Sequence, residues 1–159
     1  MQKQNFDAAT IRIIDALQTN SEISLADLAK DVGLSQSPCW RRVSELKKNE
    51  VIQRSVAVVD PAALGLTVNV FVHVSLEKQN KESLSIFERA IAKRPEVMEC
   101  YLMSGDSDYL LRVVAEDLSK YQEFVIDVLT QIPVVSSIRS SFALSRVKYT
   151  TALPTAHLV

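Results

Sequence analysis

The sequence is poor in residues that interrupt regular structure: it has three glycines and five prolines in 159 residues. That excludes long flexible linkers and low-complexity architectures. Cysteine is scarce too. Cys39 and Cys100 are the two, and His73 and His157 the two histidines, with no close spacing among the four. Such a set makes neither a disulfide scaffold nor a zinc site. Each cysteine is expected to be a small buried apolar residue with a free thiol. No apolar run approaches the roughly 20 residues a membrane helix needs. The start, "MQKQNFDAATIRIIDAL", lacks the apolar core and cleavage site of a signal peptide. A cytoplasmic, non-membrane protein is the expectation. Charge of one sign is also lacking, since the formal net charge is −1. Nucleic-acid binding, if any, must come from a local patch.

What is present is ordinary for a globular chain: 47% apolar and 23% charged residues. The length suits one domain or two small ones. A compact fold of this size buries roughly 70% of its unfolded surface and needs no staples.

The first third reads as three short helices. In "FDAATIRIIDAL", Phe6, Ile13, Ile14 and Leu17 fall near helical spacing, with Asp7 as the N-cap. Ser24 precedes "LADLAKDV", and Asp27 three residues on completes a capping box. Gly33 ends that helix where a left-handed residue is needed. Ser35 opens the next, "SQSPCWRRVSELKKNEV", with Pro38 in its first turn and Cys39, Val43 and Leu46 on one face. Two helices around a tight glycine turn make a helix-turn-helix pattern. "VIQRSVAVVD" then reads as an extended linker strand, and "DPAALGL" as a turn.

The second half changes period. "VNVFVHVSL" alternates as a strand, with Val68, Val70, Val72, Val74 and Leu76 on the face beneath the helices. Asn69, Phe71, His73 and Ser75 share the other face, where Phe71 suggests burial by self-association. A helix over "KESLSIFERAIAKRP" follows, then strands "VMECYLM" and "YLLRVVA" around the turn "SGDSD". A helix over "LSKYQEFVIDVLTQIP" leads to a long final strand, "SIRSSFALSRVKYT". The order β-α-β-β-α-β is the split βαβ, or ferredoxin-like, pattern. The predicted class is therefore α+β: a winged-type helix-turn-helix (1–52), a β-strand linker and turn (53–66), and a ferredoxin-like domain (67–159).

Two stretches carry candidate chemistry. Between residues 35 and 54 there are five cations (Arg41, Arg42, Lys47, Lys48, Arg54) and two anions (Glu45, Glu50), a local charge of +3. Cations hold phosphates, and side chains near a recognition helix N-terminus read bases. Gln36, Ser37, Trp40 and Arg41 are the groove candidates, since Gln suits adenine and Arg guanine. Arg42, Lys47 and Lys48 suit phosphate or solvent, and Ser35 marks a helix N-terminus able to take a phosphate. A charge of +3 is thin for one chain, which points to a dimer or larger.

The second stretch is "LMSGDSDYLL". Two carboxylates, Asp106 and Asp108, share a turn with Gly105. A catalytic acid pair would need a cleft and a partner that nothing elsewhere supplies. A calcium loop would need more oxygen ligands. A plain hairpin turn and a small-molecule pocket stay open. In the pocket reading, the backbone N–H groups around Gly105 receive a carboxylate. Asp106, Asp108 or Asp127 accepts an ammonium, Leu102 or Met103 lines the side chain, and Ser136 and Ser140 add hydroxyls.

"GLSQSPCWRRV", "GDSDYLL" and the end "TTALP", in this order and spacing, resemble the Lrp/AsnC, or feast/famine, family of transcriptional regulators. The resemblance covers roughly residues 6 to 155. It implies a DNA-binding N-terminal unit, free of enzymatic activity, acting in a bacterial or archaeal nucleoid. It also implies a C-terminal domain that senses an amino acid between subunits, close to the turn that includes Ser104 and Tyr109. No cofactor is implied, and dimers would assemble further, to an octamer. "EVMECYLMSGDSDYLLRVV" and "IRSSFAL" are especially similar to regulators of branched-chain amino-acid or related catabolic operons. Two positions depart from the family pattern: Thr10 stands where many members carry an acid, and Ser107 where an aromatic is common. The alternative is an architectural nucleoid-type protein without an effector.

Overall fold

The computed structural model describes residues 6–158. The chain forms two compact units. One takes the residues up to Val58 together with those from Val147 onward, and the other spans Val59–Arg146. The last segment of the expected third division, 67–159, thus belongs with the first unit.

The first unit contains α1 (Ala8–Thr19), α2 (Leu25–Asp31) and α3 (Gln36–Lys48). Asp7 caps α1, its carboxylate accepting the Thr10 N–H at 2.7 Å. Ser24 caps α2, accepting the Asp27 N–H at 3.1 Å and donating its hydroxyl to Asp27 Oδ2 at 2.6 Å. In the usual box the acid takes the cap's backbone N–H; here it takes the cap's hydroxyl. Gly33, at φ +70°, makes the turn into α3. The three helices close on Ile13, Leu28, Ala29, Val32, Cys39 and Leu46, with Ile13 and Cys39 fully buried. A side chain such as Ile13 contributes about 1.5–3 kcal/mol by leaving water.

The second unit contains β1 (Val68–Leu76), α4 (Lys81–Ile91), β2 (Val97–Leu102), β3 (Tyr109–Ala115), α5 (Leu118–Asp127) and β4 (Val135–Phe142). The sheet order is β2-β3-β1-β4, and every neighbouring pair is antiparallel. Register decides the faces. Val72 stands opposite Leu111 and Ser140, and Val74 opposite Tyr109 and Ile138. Residues opposite one another share a face. The valines therefore lie with Tyr109, Leu111 and Val113 beneath Phe87, Ile91, Tyr121, Phe124 and Leu129. The expected Val face is the core face. Phe71 lies on the other side, opposite Arg112 and Ser141, and is 36% exposed.

Three expectations need correction. "VIQRSVAVVD" forms no regular element and pairs with no described strand, and Val56, Val58 and Val59 stand exposed. β-branched residues favour an extended backbone, but a strand also needs a partner row of donors and acceptors. The final strand stops at Phe142 because β1, its partner, begins at Val68; the last rung runs from the Ala143 N–H to the Asn69 carbonyl. Cys100 is exposed rather than buried, since β2 lies at the edge of the sheet. Among the described residues no helix is long and apolar enough to cross a membrane.

Candidate nucleic-acid interface and effector site

The first half of α3 presents one exposed row. Gln36, Ser37, Trp40 and Arg41 are all exposed, spaced so that 36 and 40, and 37 and 41, lie one turn apart. Trp40 is 61% exposed, a large indole that the core does not use. Ser35 sits exposed at the N-cap and makes no side-chain capping bond, which leaves the first N–H groups of α3 uncapped by it. Lys47 and Lys48 are exposed in the last turn, where cations also oppose the helix dipole.

Arg42 behaves differently from its neighbours. Its Nη2 lies 2.6 Å from Asp7 Oδ2, and its side chain is 22% exposed. Its Nε is buried and meets no hydrogen-bond partner among the described residues. Hydrogen bonding from Arg42 holds the Asp7 carboxyl well below the usual carboxylate range, helped by Thr10. Arg42 thus ties α3 to the start of α1. Sequence reading placed it among the phosphate contacts and saw Asp7 only as a cap. The one available signal was two opposite charges on helices already expected to pack.

The turn between β2 and β3 divides its two acids. Ser104, Gly105 and Asp106 are exposed at the tip. Gly105 has φ +136°, which side-chain-bearing residues rarely adopt, and open space surrounds the position of a Cβ. The N–H groups of Ser104, Gly105 and Asp106 bond to no described residue. Leu102 and Met103 lead into the tip at 60% and 42% exposure. Asp108, by contrast, is 5% exposed. Its Oδ2 accepts the Leu76 N–H at 2.7 Å, and its Oδ1 accepts a short bond from Gln79 Nε2. It binds the turn to the end of β1, and both oxygens are occupied.

The remaining effector candidates scatter. Tyr109 is 1% exposed, stacks at 4.4 Å on Phe87 and donates its hydroxyl to Glu88 Oε1 at 2.9 Å. Burial, then Glu88, pushes its phenol well above the ordinary value. It belongs to the core. Ser136 lies at the same end of the sheet as the turn, donating to the Ser75 carbonyl at 3.0 Å. Ser140 faces the helices, in a short hydrogen bond with the Tyr121 hydroxyl. Asp127 lies at the end of α5 in a groove with Arg89, Lys93 and Arg94, away from the turn. The structure therefore brings together Leu102, Met103, Ser104, Gly105 and Asp106 in one turn, while Ser136, on β4, is separated from that turn by β1. It does not bring Ser140 and Asp127 to them. Ser107, noted in the sequence as a departure from the family pattern, pairs with His73 in a way the sequence did not indicate: its Oγ lies 3.2 Å from His73 Nδ1 on the sheet face away from the helices. Among the described residues no cluster of His, Cys, Asp or Glu could hold a metal ion.

Comparison with known proteins agrees with both units. The model of the Lrp/AsnC ligand binding domain matches residues 69–153, and that of a winged helix-turn-helix DNA-binding domain matches residues 6–53. A Bkd operon transcriptional regulator of Pseudomonas aeruginosa is 45% identical over 148 residues, 93% of this chain and 97% of that protein. An AsnC family transcriptional regulator from Agrobacterium tumefaciens superposes with a TM-score of 0.91 at 40% identity, over 97% of this chain and 100% of that one. A transcriptional regulator from Neisseria meningitidis, solved as a complex with L-Met, gives a TM-score of 0.93 at 33% identity, over 97% of this chain and 99% of that one.

Proposed function

Because the chain belongs to the Lrp/AsnC family of transcriptional regulators, we propose that its DNA affinity is set by an amino acid bound at the Gly105 turn, at a contact between subunits. The observation that carries this reading is the state of the turn. Three N–H groups without a described partner belong to the exposed residues around a glycine at φ +136°, beside an exposed Asp106 and two exposed apolar side chains. An α-amino acid needs donors for its carboxylate, an acceptor for its ammonium and an apolar lining. The tip offers all three, and a second subunit would supply the wall that one chain lacks. The L-Met complex of the Neisseria meningitidis relative supports an amino acid of this kind.

DNA is read by the exposed row Gln36, Ser37, Trp40 and Arg41, with Ser35 and Lys47 on phosphates. Arg42 acts through α3 by holding its N-terminal half against α1. The homodimer forms on the sheet face that bears Phe71, and dimers associate further, to an octamer. Ligand at a subunit contact shifts DNA affinity only as far as it prefers one assembly over the other. The likeness to a Bkd operon regulator makes an operon of that kind the first target to test.

A thermal-shift screen of the twenty amino acids identifies the effector. Calorimetry with Gly105→Trp then tests the site, with circular dichroism as the check on folding. The proposal predicts loss of binding by a folded variant. Undiminished binding overturns the site, and no binding by the wild type to any amino acid favours an architectural DNA-binding protein.

A further inference from the structure

The C-terminal "TTALPTAHL" contributes to none of the residues assigned above. It runs back onto α1, within the first unit. The Gln18 side-chain amide grips the Leu153 backbone from both sides. Its Oε1 accepts the Leu153 N–H at 2.7 Å, and its Nε2 donates to the Leu153 carbonyl at 3.2 Å. That is the exchange a neighbouring strand would make. One turn earlier, the Thr155 hydroxyl donates to the Asp15 carboxylate, 2.8 Å from Oδ1 and 3.0 Å from Oδ2. Asp15 and Gln18 share a face of α1 at i, i+3, and Leu153 and Thr155, two residues apart, meet them in turn. Pro154 between them has no N–H to leave unpaired. Leu153, Pro154 and Leu158 also line a groove of about 670 Å³ with Ile14, Leu17 and Ile52.

Chain connectivity gives this contact a consequence. The first unit joins the rest of the chain twice, before Val59 and after Arg146. A unit held by one connector keeps more freedom than a unit held by two. The contacts at Gln18 and Asp15 fasten the second connector to α1 within that unit. Where the remaining freedom fits the spacing of the half-sites, two connectors leave affinity for one half-site untouched and raise the effective concentration of a second unit once the first has bound.

We propose that the segment from Leu153 to Leu158 is a strap, and that Gln18, Asp15 and Thr155 are positioning residues for simultaneous binding of two half-sites. The inference rests on the reading that more than one unit of an assembly engages DNA. The test measures the full-length protein by fluorescence anisotropy on two duplexes, carrying one or two copies of the half-site recovered by in vitro selection. Gln18→Ala and Thr155→Val should bind the single half-site within about twofold of wild type and lose roughly tenfold on the double one. Thr155→Ser, which keeps the hydroxyl, should restore the wild-type ratio. An unchanged ratio in both variants overturns the strap. Equal weakening on both duplexes does too, because it reports damage to the reading unit itself. A wild type that binds two half-sites no tighter than one removes the multi-unit reading, and the strap's role with it.

Discussion

Asp106 and Asp108 are two positions apart in one turn, yet only one is available to a ligand. Asp108 spends both oxygens on Leu76 and Gln79, while Asp106 stands in solvent. Removing the buried acceptor leaves a buried N–H without its bond, a cost of about 1–3 kcal/mol. Urea denaturation should therefore show Asp108→Ala destabilised by that amount and Asp106→Ala within about 0.5 kcal/mol of wild type. The reverse order would contradict the division. The sequence could not separate the two acids, since both suit a turn and only the register of β1 against β3 decides which one meets Leu76. Arg42 repeats the lesson: its charge suggested phosphate, and its place against Asp7 gives it a structural task. The Asp7 carboxyl in the folded chain titrates below its ordinary 3.8. The bridge therefore contributes fully above that pH and fades as pH falls through 3.8 toward the folded value. Asp7→Asn should lower the melting temperature at pH 7, and the gap from wild type should narrow steadily below pH 4. A gap that stays constant with pH would remove the bridge from the account.

Elements were legible where a period and its stop signals agreed. The alternating valines of β1, the caps Asp7 and Ser24 and the glycine after α2 each specify local geometry that needs no distant partner. They were illegible where the outcome depends on a partner. Residues 51–60 have strand composition and no described strand beside them, and β4 ends where β1 begins. Ser140 shares its face with Phe142, as the two-residue period requires, but the period does not say which face turns to the helices. On α3 the surface pattern makes a definite forecast. Trp40→Ala should leave stability unchanged, because its ring is mostly in water, and should weaken promoter binding. Arg41→Ala should weaken it too, and if Arg41 holds a phosphate, the slope of log affinity against log salt should fall by about 1. Wild-type affinity and slope in Arg41→Ala would exclude Arg41 from the interface.

At the scale of the molecule, the sheet of the second unit has helices on one face only, and Phe71 stands part-exposed on the other. The proposed homodimer covers this face. Phe71→Glu should therefore lower the mass measured by light scattering, and a wild-type mass would place the contact elsewhere. The order of units and the helix-turn-helix were legible from period and local charge. The return of the C-terminal segment to α1 was not, since nothing in "TTALPT" marks Gln18 and Asp15 as its partners. The central claim is that an amino acid at the Gly105 turn controls DNA affinity. It is tested most directly by the affinity for promoter DNA, at one salt concentration, with and without the amino acid found by thermal shift, in wild type and Gly105→Trp. The account predicts a change of about fivefold or more in wild type, as a coupling of about 1–3 kcal/mol gives. It predicts none in Gly105→Trp, whose ligand-free affinity matches wild type. A wild-type affinity indifferent to every amino acid, or a Gly105→Trp variant that still responds, would contradict it.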